Sequence, residues 1–207
     1  PVGVLDRPNP IDGFDIEGTD ASRAMLDRCR DKAKALGLAA PRIHEQKLDK
    51  LDLPRKFTLA FIPSGSFGLI PDLSQVKESL RRLHARLRPG GKLVLEVEKY
   101  APHGGYAGPW GGRWITRPDG AKMLISWLSQ SGENDPVSTS LHRYEVYQDG
   151  RLVDAELEEL SIRTYKPEEM RGLLSEAGFR DIKIFRAYEL RPPGPSDADL
   201  LFEALRP

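Results

Sequence analysis

Leu87-Arg88-Pro89-Gly90-Gly91-Lys92-Leu93-Val94-Leu95-Glu96-Val97-Glu98 is the stretch from which the fold is read. Upstream of it, Val76, Leu80, Leu83 and Leu87 recur at helical spacing, and downstream of the glycines Val and Leu alternate as in a strand. A helix therefore stops and a strand starts at this joint. Pro89 cannot continue a helix, and Gly90 or Gly91 can take the left-handed conformation that caps one. A joint of this kind turns an amphipathic helix sharply into a sheet, the basic step of an α/β domain.

The 207 residues suffice for one core, or for a core with an appended subdomain. Thirty-one Lys and Arg balance 31 Asp and Glu, which leaves no basic field for nucleic acid and no acidic excess for disorder. The partner such a surface suits is a small molecule or a second copy of the chain. Cys29, the single cysteine, has no internal disulfide partner and falls in a predicted helix, so a reduced cytoplasmic compartment and a buried structural thiol are expected. No apolar run reaches the roughly 18 residues of a membrane span, and no signal-peptide pattern is present. The chain opens on Pro1 instead of Met, from which a start further upstream is expected.

Residues Pro1 to Pro10 read as an irregular lead-in. Gly13 to Asp20 alternates apolar and polar residues, ends on an acid, and runs into a helix from Arg23 to Leu36 closed by Gly37. A carboxylate at the carboxyl end of a parallel strand can accept both ribose hydroxyl protons. The alternative for Asp20 is a helix cap. Arg42 to Gln46 is the next strand, followed by Lys47 and Leu48. His44 has no second ligand at metal spacing and reads as a half-exposed strand histidine. Phe57 to Ile62 is a buried strand that breaks at Pro63, with Ser64 and Ser66 in the loop beyond it.

After Glu98 the composition shifts. Tyr100 to Gly112 is rich in glycine, proline and the aromatics Tyr100, His103, Tyr106 and Trp110, which suits a mobile lid or an ordinary solvated loop. Its glycine pairs open no helix, so a phosphate-binding loop is not expected. Strands follow at Arg113 to Thr116, Lys122 to Leu128, Val137 to Gln148 and Arg151 to Tyr165, separated by turn residues, which makes an antiparallel meander. Ser138, Ser140, His142 and Tyr144 share one face by the period of two. Turned to a cleft, His142 or Tyr144 is placed to accept a proton; turned to solvent or a partner subunit, they are polar sheet residues. Trp114 and Trp127 read as packing. A last helix begins at Lys166-Pro167-Glu168-Glu169 and stops at Ala177-Gly178-Phe179, before strands at Arg180 to Leu190 and Asp199 to Leu205.

From Gly13 onward this order of elements resembles the class I S-adenosylmethionine-dependent methyltransferases, and is similar to small-molecule members that act on amino sugars and to related N- and O-methyltransferases. The Pro-Gly-Gly joint resembles the turn after their fourth strand, and Gly13 to Asp20 their second strand. The resemblance implies an α/β fold with a mostly parallel sheet, helices on both faces, a reversed final strand and an inserted antiparallel β meander. The core would comprise residues 1–98 and 166–207, and the inserted lid and sheet residues 99–165. It further implies S-adenosylmethionine as cofactor, with Asp20 at the ribose, Ala21, Lys47 and Leu48 bordering the adenine, and Ile62 and Pro63 near the sulfur. The acceptor, a small metabolite methylated on nitrogen or oxygen, would meet Tyr100, Trp110, Arg113 and His142, with His142 or Tyr144 as base. The insertion would cover the substrate pocket or form a homodimer face.

Two departures from the family pattern stand out. Lys47 occupies the position where the family usually offers an acid to the adenine. The first strand and its acid-x-Gly-x-Gly turn are missing: Val4-Leu5-Asp6 resembles the strand's end, but a parallel crossover needs a dozen or more residues and Phe14 follows too soon. The turn is expected to be encoded outside the 207 residues. A degenerate relative, keeping the fold as a binding or dimerisation module, is the alternative. A nicotinamide-dependent oxidoreductase fits less well, given the final strand and the Pro-Gly-Gly joint.

Overall fold

The computed structural model describes residues 15–102 and 104–207. Expectations for Val2 to Asp6, Gly13, Phe14, His103 and the Tyr106 side chain lie outside the described residues. The chain divides into two units, one holding everything described up to Phe67 together with Asp72–Glu98 and Pro167–Pro207, the other holding Gly68–Pro71 and Lys99–Lys166.

The first unit is built outward from the joint. Helix α2 (Leu73–Arg86) starts where the Asp72 carboxylate accepts the Gln75 N–H at 2.9 Å, satisfying a donor that no helical carbonyl can reach. Its apolar stripe is the predicted one: Val76, Leu80, Leu83 and, just past its end, Leu87 are all buried. The cap differs from expectation. Leu87 ends the helix in an extended conformation, and strand β4 (Leu87–Glu98) begins at once. Gly90 does adopt a positive φ of 75°, but within the strand's first turn, where its N–H donates to the Arg206 carbonyl at 2.8 Å. Proline and glycine here bend the chain against its own carboxyl terminus and do not cap α2.

Strand β4 lies between β3 (Phe57–Ile62), parallel to it, and the antiparallel β11 (Asp199–Leu205), with β10 (Arg180–Arg186) outermost and antiparallel to β11. This sheet is therefore mixed and not mostly parallel as expected: the chain returns to it through hairpin-like pairing at its carboxyl end. Leu93, Leu95, Val97, Leu200, Phe202 and Ala204 from β4 and β11 are buried, and form the core with α2 and with Met170, Leu173 and Leu174 of α3 (Pro167–Glu176). Two α2 arginines pin the preceding segment: Arg82 donates to the Leu51 carbonyl and Arg86 to that of Leu53.

The rest of the unit's sheet is separate. Strands β1 (Gly18–Asp20) and β2 (Ile43–Glu45) pair in parallel with each other, Asp20 opposite Glu45, in a sheet of two. Helix α1 (Arg23–Ala35) follows β1, capped by the Ser22 hydroxyl on the Met25 N–H, and buries Leu26 alone. Cys29, expected to be buried, is half-buried. Among the described residues the unit's strands thus form two sheets, and no strand pairs with both β1 and β3. Strand β3 shows the consequence: Leu59 is 49% and Phe61 43% exposed, although a parallel strand of this composition is ordinarily covered on both faces.

The second unit is one antiparallel sheet. Strands β7 (Lys122–Glu133), β8 (Val137–Gln148) and β9 (Arg151–Arg163) form its body, and β5 (Gly104–Ala107) and β6 (Gly111–Thr116) pair in succession along the free edge of β7. Asp149 and Gly150, both at positive φ, make the tight hairpin between β8 and β9 that the sequence announces. The stretch expected to be a lid contains β5, and Tyr100 is tied down by its N–H on the Tyr165 carbonyl.

Candidate functional site

Two groups of predicted residues gather at the carboxyl ends of parallel strands, where ligands of open α/β sheets bind. The first surrounds the end of β1. Asp20 closes the strand, and its Oδ1 accepts the Ser22 N–H at 2.7 Å in a local turn, while Ser22 is the actual helix cap. The carbonyl of Asp20 accepts the Gln46 N–H at 3.0 Å, which draws the turn after β2 alongside. Lys47 and Leu48 follow, at the start of a short 3-10 turn, with Lys47 exposed and Leu48 half-buried. Asp20, Ala21, Lys47 and Leu48 therefore lie at one edge of the β1–β2 pair. An acid at the strand end and an apolar residue on the adjoining turn suit the ribose and base of a nucleoside.

The second group surrounds the end of β3. Ile62 and Pro63 lead into Ser64 and Gly65, both at positive φ (58° and 64°), and the Ser66 hydroxyl donates to the Pro63 carbonyl at 2.9 Å. The loop is held from below by Glu96, 6% exposed, whose Oε2 accepts the Ser64 N–H at 2.8 Å. Two residues on, at the carboxyl end of β4, Glu98 shares the face of Glu96, and its Oε1 lies 3.9 Å from where a Cβ on Gly65 would be. Sequence reading did not single out Glu96 or Glu98. The signal was present as two acids at alternate positions of an otherwise apolar strand.

The amino ends of β1 and β3 are joined by a third cluster that the sequence did not reveal. Glu17, its side chain 6% exposed, accepts Arg55 Nε at 2.7 Å and pairs with His44 Nε2 at 3.0 Å, and Arg42 and Arg55 also engage Asp15. His44 is thus a partner of Glu17. Among the described residues no group of His, Cys, Asp and Glu is arranged to hold a metal.

The remaining predicted residues belong to the second unit and its antiparallel sheet. Register places Trp127, His142 and Glu158 in one cross-strand row, and Arg113, Ile125, Tyr144 and Glu156 in the next, all on one face. His142 and Tyr144 stack with centroids 6.3 Å apart, and the Tyr144 hydroxyl donates to Glu158 at 3.2 Å. Burial first, then the Glu158 carboxylate, raise the pKa of Tyr144, so the phenol is poorly suited to the role of base. Tyr100, expected at the substrate, is buried, its hydroxyl donating to the Asn134 carbonyl at 3.1 Å and Lys166 lying over its ring. Trp110 and Arg113 are exposed.

No protein-family model and no curated protein matches the chain. Solved structures do. A SAM (S-adenosylmethionine)-dependent methyltransferase from Clostridium acetobutylicum superposes with a TM-score of 0.75 at 18% identity, over 93% of this chain and 75% of that one. A sugar N-methyltransferase from Streptoalloteichus sp. gives 0.68 at 20% identity, over 92% and 70%. An amino pentose methyltransferase from Micromonospora echinaspora, solved with SAM bound, gives 0.65 at 19%, over 92% and 73%. With its parallel strands ending at these two loops, the chain has the Rossmann-like α/β fold of class I SAM-dependent methyltransferases.

Proposed function

We propose that the chain is a SAM-dependent methyltransferase that transfers a methyl group to nitrogen or oxygen of a small metabolite, and that copies of it pair through the inserted sheet. The observation that carries the reading is the edge at which Asp20, Ala21, Lys47 and Leu48 meet, beyond the carboxyl ends of β1 and β2. That edge fits the nucleoside half of SAM, with Asp20 toward the ribose and Leu48 toward the adenine, and Ile62 and Pro63 stand at the next strand end for the sulfonium half. When bound, the cofactor supplies an electrophilic methyl group. The protein's task is to hold the acceptor in line and keep water away. His142 and Arg113 are assigned to acceptor recognition. The solved neighbours that act on sugars support a small-molecule acceptor.

Calorimetric titration with SAM, and with a nicotinamide dinucleotide as control, tests this. Micromolar binding of SAM alone is expected, weakened roughly 10- to 100-fold by Asp20→Ala, the effect of losing hydrogen bonds to a charged group. Equal binding by Asp20→Ala contradicts the assignment. Two observations favour a second reading, a methyltransferase-fold module without catalysis: among the described residues no strand pairs with β3 on the side away from β4, and no acid-x-Gly-x-Gly turn occurs. That reading predicts no binding of either ligand.

A further inference from the structure

Glu98 ends β4 at the same edge of the sheet as the loop that ends β3. The loop's left-handed Ser64 and Gly65 bring the backbone down onto the Glu96 and Glu98 face, and the absence of a side chain at Gly65 leaves the Glu98 carboxylate lying against it. The groups facing Glu98 from each packed element are Glu96 of its own strand, Asp199 directly opposite on β11, and the uncharged Ser64 and Gly65 of the loop. Glu96 is occupied by the Ser64 N–H. No described residue offers Glu98 a hydrogen bond or an ion pair, and its cross-strand neighbour is another acid. Carboxylates directly opposite one another on adjacent strands are destabilising. A sequence that keeps two there, at the edge where this fold takes its ligands, leaves a place for positive charge to arrive. The side chain is exposed, and its partial burial, then the Asp199 carboxylate, raise its pKa above the ordinary carboxylate value.

We propose that Glu98 is a catalytic residue of the methyl transfer, a carboxylate that faces the sulfonium end of the cofactor and takes the proton of the acceptor. This rests on the SAM-dependent activity proposed above. For a protonated amine acceptor, the Glu98 carboxylate accepts one proton, forming an O–H bond and leaving the N–H electron pair on nitrogen as a lone pair. That lone pair forms the new N–C bond to the methyl carbon while the C–S bond breaks, its electron pair remaining on sulfur. The positive charge passes from the sulfonium to the methylated ammonium, and the proton on Glu98 leaves to solvent.

The assignment is testable without knowing the acceptor, because SAM carries the sulfonium charge and S-adenosylhomocysteine does not. Calorimetry on the wild-type protein and on Glu98→Gln compares the two ligands. The expected result is that Glu98→Gln binds S-adenosylhomocysteine within twofold of wild type, which also shows the variant to be folded, while SAM binding weakens about tenfold. Carboxyl-carbon NMR of glutamate-labelled protein, with the Glu98 signal identified by its loss in Glu98→Gln, gives a second readout. Its midpoint should fall by about one pH unit with SAM relative to S-adenosylhomocysteine. Asp199→Asn should lower the midpoint of the free protein and preserve that difference. If both ligands bind and Glu98→Gln affects them equally, or if the Glu98 midpoint is the same with each, Glu98 does not face the sulfonium and the proposal is overturned. If neither ligand binds the wild-type protein, the methyltransferase reading itself fails and takes this one with it.

Discussion

Glu96 is the clearest case of a residue whose cost must be met locally. A carboxylate this deep in a sheet needs donors, and the Ser64 N–H supplies one at 2.8 Å while fixing the loop after β3. Glu96→Ala is expected to destabilise the protein by about 1.5–3 kcal/mol, the range for hydrogen bonds to charged groups. Urea unfolding measures it, and an unchanged midpoint would show that the bond contributes nothing. His84 gives a pH dependence. Burial, then Arg206, lower its pKa below the ordinary 6.5, and it packs edge-on against Phe179. The unfolded chain therefore binds more protons than the folded one on the acid side of 6.5. The stability linked to His84 is complete above that pH and is lost as the pH falls toward the folded-state value. Replacing it in His84→Gln should flatten the slope of stability against pH in that window, and an unaltered slope would assign it to other groups. Residues of this kind are hard to read from sequence. Asp20 was legible because it ends a strand, whereas Glu17 and His44, or Glu96 and Ser64, find each other only once the chain has folded.

At the scale of elements, periodicity and turn chemistry served well where one face is buried or a hairpin is tight. The α2 stripe, the span of β8 and the Asp149-Gly150 hairpin follow directly from local pattern. Two misreadings have physical causes. Gly104 to Ala107 has the composition of a loop because glycine lacks strand propensity, yet pairing with β7 makes it a strand. The Pro-Gly-Gly joint suggested a glycine cap, but its turn is set by a distant partner, the Arg206 backbone. Glycine in β6 has a packing role as well. A Cβ on Gly111 would come within 2.6 Å of the Trp127 ring, so Gly111→Ala should displace the indole or the strand and cost about 1–3 kcal/mol. Thermal unfolding together with tryptophan emission follows both, and a variant identical to wild type in each would contradict this packing.

For the whole molecule, the α/β class was legible from the order of helices and strands, and the separation of a wholly antiparallel sheet from a mixed one from the change in strand pattern after Glu98. The division of the first unit's own sheet was legible only as a missing crossover. Its physical expression is β3, a strand with apolar side chains in water. No described helix is long and apolar enough to cross a membrane. On the antiparallel sheet of the second unit, Trp114 (67% exposed) and Leu157 (61%) lie on the face opposite His142 and Tyr144. If copies pair there, sedimentation velocity will show a dimer that Leu157→Glu converts to monomer. A wild-type monomer at high micromolar concentration would remove that part of the proposal.

SAM is proposed to bind across the carboxyl ends of β1, β2 and β3. Hydrogen exchange with and without saturating SAM, read by mass spectrometry on peptides along the chain, tests it most directly. Protection is predicted in peptides that cover Asp20 to Ser22, Gln46 to Leu48 and Ile62 to Ser66, with β10 unchanged. Protection confined to other segments, or none at all, would contradict it.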